Sequence, residues 1–274
     1  MAAGLTQAAR AARRILSLAA LVLAVAACAG TSSLGEQTRP PPVSPFQAQL
    51  NRSGIPYTVP PEGKAILVNI PAFELVAFED GMPVFRSKVI IGTPENPTPR
   101  LETHTTLVRF RPSWRPTPDM VASGEYPDKV WPAGPGNPLG LAAIRMEPGL
   151  LVYLHDTNRR DFFALDYRAL SHGCIRVERW DELIAWLLDW PRERVHLFAN
   201  GRGTVDVKAS RVPVTLGYLT TFPDASGQLL RHPDLYGYGA PQVSGRRAGT
   251  ALLQDTARTS VLAMRDAGGC SAAE

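Results

Sequence analysis

Cysteine is scarce in this chain: three residues among 274, at positions 28, 174 and 270. That excludes a small fold stapled by several disulfides. Aromatic residues make up only 8% and charged residues 20%. Beyond residue 27 there is no cluster of lysine and arginine, which excludes nucleic acid as a partner. Internal repeats are absent, which excludes a solenoid or propeller. Strands and helices do not alternate, which argues against a doubly wound parallel sheet. The long apolar run at residues 15–27 is shorter than a membrane-spanning helix. Proline, by contrast, is plentiful at 25 residues. Many prolines fall before residue 62 or between 94 and 138, so long loops are expected rather than a helical bundle.

The first residues read as an export signal. Arg10, Arg13 and Arg14 precede the apolar run, which ends in Val25-Ala26-Ala27-Cys28. Small residues directly before a cysteine resemble a bacterial lipobox, in which Cys28 would carry the lipid and begin the mature chain. An ordinary signal peptide with Cys28 incidental is the alternative. The expectation is an exported, periplasmic protein anchored to a bacterial membrane by lipid. The formal charge of +4 owes much to this segment, which holds three arginines and no acid. Without it 26 basic residues face 25 acidic ones, a net of about +1.

The remaining chain divides by pattern. Residues 28–61 are rich in Pro, Ser, Thr and Gln and read as an extended tether. Residues 65–70 form an apolar run. Two β-rich segments then flank Asp80-Gly81, a hairpin signature. Residues 105–110 form a further strand. Residues 111–140, with Trp114 and Trp131, read as a long ordered loop that either walls a groove or is stapled to the surface by its tryptophans. Residues 150–154 read as a buried strand ending at His155. Trp180, Leu183, Ile184, Leu187 and Leu188 recur at helical spacing, and Trp190-Pro191 ends that helix. Residues 195–199 and 204–207 read as closing strands. The class is mostly β with one main helix. Residues 209–240 read as a C-terminal extension packed on the 62–208 domain, and 241–274 as a tail.

Chemistry concentrates in Ser171-His172-Gly173-Cys174-Ile175-Arg176, with His155 upstream. Cysteine attacks as thiolate, and a free thiol with a pKa near ~8.5 holds little thiolate at neutral pH. An imidazole within reach can take the proton, so Cys174 with a histidine is a minimal unit for acyl transfer. Gly173 permits a tight turn whose backbone N–H groups can hold an oxyanion. A Cys174–Cys270 bridge would block that sulfur, and Cys270 is expected to be free or incidental.

This constellation resembles the L,D-transpeptidase (YkuD-type) catalytic domain. His155 is followed by fifteen residues and then by Ser-His-Gly-Cys-Ile-Arg. Ile91-Gly92 ahead of Thr98-Pro99 and the run Tyr153-Leu154-His155-Asp156-Thr157 agree. The last, with Arg168-Ala169-Leu170 before the motif, is most similar to the larger periplasmic murein branch, as is the segment from 212–214 through 234–237, although no helical peptidoglycan-binding module is visible and Arg100 replaces the usual glycine. The resemblance implies a β-sandwich-like domain spanning residues 62–208, with no metal or organic cofactor. Cys174 would be nucleophile and His155 general base, then acid. His172, Gly173, Ser171 and Arg176 would form the oxyanion site and pocket, with Tyr153 and Trp114 as groove candidates and Asp156 orienting His155 or capping a turn. Partners would be peptidoglycan stem peptides, a tetrapeptide donor and an amine acceptor giving a 3–3 cross-link. Water or a protein amine as acceptor, a zinc site on His155, His172 and Cys174, and a non-catalytic peptidoglycan-binding lipoprotein are the competing readings.

Overall fold

The computed structural model describes residues 43–239. The export signal, Cys28, the first part of the tether, Cys270 and the 241–274 tail lie outside the described residues. The architecture is mostly β. Strand β1 (Lys64–Asn69) pairs antiparallel with β2 (Glu74–Glu79), which pairs with β3 (Met82–Gly92). Asp80 and Gly81 join the latter two at φ 48° and 76°. Positive φ at both central residues suits the right-handed strand twist, and glycine adopts it without a Cβ penalty.

The remaining strands are β4 (Leu101–Phe110), β5 (Ala142–Met146), β6 (Tyr153–His155), β7 (Ala169–Ser171), β8 (Ile175–Val177), β9 (Val205–Lys208), β10 (Pro213–Gly217) and the pair β11 (Thr221–Pro223) and β12 (Leu229–Arg231). The main sheet runs β10-β1-β2-β3-β8-β6-β5-β4-β9, with β7 beside β3. Because β10 also pairs with β4, the sheet closes on itself as a barrel. Closure satisfies backbone groups that an open edge would leave unpaired.

Inside the closure, Ile66, Val68, Leu75, Ala77, Val89, Ile91, Leu154 and Ile175 join the apolar face of helix α3 (Trp180–Leu188). The helix predicted after the cysteine motif is therefore present, and it fills the core. The intervening residues Ala65, Leu67, Val76 and Phe78 bury the opposite face of β1 and β2 against Phe46 and Leu50. Burial on both faces explains the unbroken apolar run at 65–70. Each such large side chain contributes about 1.5–3 kcal/mol relative to exposure.

Four expectations need correction. Residues 43–61 are not an extended tether: α1 (Pro45–Arg52) starts at Ser44, whose Oγ accepts the N–H of Gln47 at 3.1 Å. Its Phe46 and Leu50 are buried, and apolar contact outweighs the local proline content. Residues 195–199 are not a strand but the end of α4 (Arg192–Ala199). Pro191 caps α4 rather than opening a loop, and Val195 and Ala199 bury one helical face. The strand expected at 150–154 is only Tyr153–His155. Finally, the extension expected to pack on the domain from residue 209 in part joins its sheet, since β10 is hydrogen-bonded between β1 and β4.

Candidate active site

Strand pairing brings the sequence-predicted residues together. Strands β6 and β8 run parallel, with Leu154 opposite Ile175 and His155 opposite Arg176. Side chains alternate along a strand. Leu154 and Ile175 point into the core, so His155 and Arg176 take the other face. Tyr153 lies two residues before His155, and Cys174 lies two before Arg176. Tyr153 and Cys174 accordingly pack on one another as a small buried cluster of their own. His155 ends β6, and Cys174 stands one residue before β8, at the end of the turn that leads into that strand.

The turn carrying Cys174 is tightly bonded. Ser171 Oγ donates to the Cys174 carbonyl at 2.6 Å and accepts the Gly173 N–H at 3.2 Å. Thr98 Oγ1 donates to the Gly173 carbonyl at 2.8 Å. Gly173 sits at φ 103°, where a side chain would be strained. Its N–H is directed at Ser171 Oγ inside the turn. The Tyr153 N–H donates to Cys174 Sγ at 3.4 Å, and Leu151 O lies 3.6 Å from the same sulfur.

His155 is 4% exposed. Its Nδ1 bonds the Asp156 carbonyl. A carbonyl only accepts, so Nδ1 carries a proton there. Burial, together with the Arg176 charge, lowers its pKa to about 3, so the ring is neutral at pH 7. A histidine buried neutral costs stability when the solution protonates its unfolded form. The folded pKa lies below the ordinary 6.5, so the contribution is complete above 6.5 and is lost as pH falls towards 3. In thermal melts, the gap between wild type and His155→Gln is therefore expected to narrow as pH drops from about 7 to about 4. A gap that holds or widens contradicts the buried neutral ring.

Asp156 does not contact the imidazole through its carboxylate. Its Oδ2 accepts the Leu141 N–H at 3.0 Å and its Oδ1 pairs with Arg160 at 2.9 Å. Burial raises its pKa, opposed by the Leu141 and Thr157 N–H groups and by Arg160. It holds the chain on either side of His155, and so acts as a local clamp. A Cβ on Gly140 would fall 2.4 Å from Asp156 Oδ2, and Gly140 has φ 64°. Gly140→Ala is therefore expected to cost about 2 kcal/mol or more, read from urea unfolding.

Residues 63–214 match the L,D-transpeptidase catalytic domain family. The chain belongs to that family. A putative L,D-transpeptidase of Haemophilus influenzae is 29% identical over 223 residues, covering 66% of this chain and 45% of that protein. The probable L,D-transpeptidase ErfK/SrfK of Escherichia coli K12 is 34% identical over 154 residues, covering 51% and 47% respectively. The probable L,D-transpeptidase YbiS of the same strain is 32% identical over 128 residues, covering 43% and 39%. The chain spans about half the length of the relatives it matches.

In this L,D-transpeptidase domain Cys174 is disulfide-bonded. The other two cysteines of the sequence, Cys28 and Cys270, lie outside the described residues. A disulfide sulfur has no proton to give and cannot attack a carbonyl as a thiolate does.

The 111–140 loop covers the site from one side. His172 Nε2 pairs with Glu125 at 2.8 Å, which ties the loop to the cysteine turn. Trp114, 3% exposed, packs with Met120, Leu139, Tyr126 and Trp131 inside the loop. It is loop core rather than groove wall. Tyr153, 2% exposed, is likewise buried, beneath Arg145. Among the described residues Arg176 makes no ion pair. Burial lowers its pKa, with Tyr126 and Glu125 the nearby opposing influences. No group of three or more His, Cys, Asp or Glu among the described residues could hold a metal ion. His155 Nδ1 bonds the Asp156 carbonyl, and His172 Nε2 pairs with Glu125.

Sequence reasoning missed Glu125, Arg160, Thr98 and Tyr236. The Thr98-Pro99 pair and the 234–237 segment were the visible signals among them, and a threonine before proline is held extended and can present its hydroxyl.

Proposed function

We propose that this chain is a peptidoglycan L,D-transpeptidase that forms 3–3 cross-links through a thioester on Cys174. The observation that supports the proposal is the parallel β6–β8 register, which puts His155, buried at the end of β6, opposite Arg176, two residues after Cys174. After reduction, Cys174 gives its proton to His155, and the sulfur attacks the diaminopimelate carbonyl of a tetrapeptide stem. The carbon–nitrogen bond to D-alanine breaks, and His155 returns the proton to the leaving amine. The side-chain amine of a second stem then attacks the thioester and loses a proton to His155. That proton passes to the departing sulfur, and the enzyme is restored. The Arg176 charge stabilises the sulfur anion and is available for a substrate carboxylate. We place the protein outside the cytoplasm, held to a membrane by lipid on Cys28, on the strength of the residue 10–28 pattern.

The reduced protein, incubated with tetrapeptide muropeptides, is expected to release D-alanine and yield cross-linked dimers by mass spectrometry. Trimmed stems alone would make it a peptidase, and stems joined to protein lysines would make it an anchoring enzyme. No product would favour the binding lipoprotein. The disulfide adds a condition: turnover is expected to rise at least about tenfold on adding a phosphine reductant, since only the thiolate is nucleophilic. Equal rates with and without reductant contradict an oxidised Cys174.

A further inference from the structure

Tyr236 lies beyond the 63–214 segment that matches the family, yet it is bonded to the base of the cysteine turn. Its hydroxyl donates to the Gly92 carbonyl at 2.7 Å and accepts the Thr98 N–H at 3.2 Å. Thr98 Oγ1 accepts the Gly92 N–H at 2.9 Å and donates to the Gly173 carbonyl at 2.8 Å. Thr98 is fully buried. The 93–98 loop lies close against Gly92, where a Cβ would stand 2.0 Å from the Asn96 carbonyl. The Thr98 hydroxyl ties that loop to the cysteine turn.

The Tyr236 hydroxyl is itself placed by a built segment. The Tyr236 N–H donates to Tyr218 Oη at 2.8 Å, and Tyr218 Oη donates to Asp234 Oδ1 at 2.6 Å. Asp234 also accepts the N–H groups of Tyr238 and Gly239. The Tyr218, Tyr236 and Tyr238 rings pack together, with the Arg100 guanidinium 4.6 Å over Tyr238. Burial holds the Tyr236 phenol protonated, with its pKa raised to about 12. It remains a donor across the working pH range.

We infer that Tyr236 is a positioning residue for the acyl-transfer step, acting through Thr98 on the Gly173–Cys174 peptide. This rests on the acyl-enzyme reading above. The peptide is one rigid plane, so anchoring the Gly173 carbonyl also fixes the direction of the Cys174 N–H. A donor aimed before the reaction needs no reorganisation when negative charge develops on a substrate oxygen. The C-terminal segment thus helps to shape the active site, although it supplies no atom that touches substrate.

The test uses the full reduced chain and two reagents that act on Cys174. A carbapenem acylates it and needs the oxyanion geometry. Iodoacetamide alkylates it and needs only the thiolate. Peptide mass mapping reads both at residue 174. Tyr236→Phe keeps the ring and removes the hydroxyl. It is expected to slow carbapenem acylation about 10- to 100-fold, the usual scale for a displaced catalytic group. Alkylation and the half-saturating carbapenem concentration are expected to change less than about twofold, because thiol and pocket persist. Thr98→Val is expected to act in the same direction, and Thr98→Ser to retain the wild-type rate. The Tyr236→Phe/Thr98→Val double variant is expected to be no slower than the slower single, since both break one relay. The inference is overturned if Tyr236→Phe acylates at the wild-type rate, if both reagents slow together, or if the two losses multiply. Failure of the wild type to form any carbapenem adduct while iodoacetamide reacts normally overturns the acyl-enzyme reading instead.

Discussion

Cys174→Ala is expected to remove cross-linking activity altogether, a loss of about 10⁴-fold or more. The fold should survive. Cys174 is a small buried residue packed on Tyr153, and the turn is held by Ser171 and Thr98, which do not bond its sulfur. A nucleophile differs from every other residue in the site because no neighbour can substitute for the covalent bond it forms. The check is the rate of D-alanine release from a tetrapeptide stem by reduced wild type and variant, alongside thermal melts of both. Residual turnover within about tenfold of wild type would move the covalent step elsewhere.

His155→Ala is expected to lower the acylation rate about 10²- to 10⁴-fold, the span seen when a general base is removed. The wild-type rate should fall on both sides of a pH optimum, with limbs that belong to the coupled cysteine and imidazole. The acid limb should lie below 6.5, because burial and the Arg176 charge lower the imidazole pKa. That limb should vanish in the variant. Once the imidazole has taken the thiol proton, the new sulfur anion beside it stabilises the positive ring, so a ring neutral at rest can still serve as a base. His172 is the competitor, but it is paired with Glu125 and is more exposed. A fully active His155→Ala with an inactive His172→Ala would transfer the role.

Much of the site was legible because its chemistry is local in sequence. Ile175 follows Ser171 by only four positions, and the hydrogen bonds between Ser171 and Gly173 or Cys174 span two and three positions. The His155 placement needed one inference more, that a short apolar strand ends there, and the strand does end there. The hairpin at Asp80-Gly81 was equally plain, since both residues accept positive φ.

What sequence could not show depends on contacts across the chain. Tyr236 meets Gly92 across 144 positions, and no periodicity marks such a pair. Glu125 reaches His172 from inside a loop whose path is set by the Trp114, Tyr126 and Trp131 cluster. The misread strand at 195–199 shows a different failure. Val195, Leu197 and Phe198 favour strands by residue type, but the capping Pro191 and the buried Val195/Ala199 pair at helical spacing prevail. The tether was misread because proline at residue 45 suits the first turn of a helix as well as it suits extended chain. The disulfide at Cys174 follows from no local signal, because three cysteines do not specify their pairing.

The most direct test of the account is the intact mass of the reduced chain after brief exposure to a tetrapeptide donor. The account predicts a mass increase equal to the stem minus D-alanine, localised to Cys174 by peptide mapping and absent from Cys174→Ala. A reduced, folded wild type that releases D-alanine without ever carrying that mass, or carries it on another residue, would contradict it.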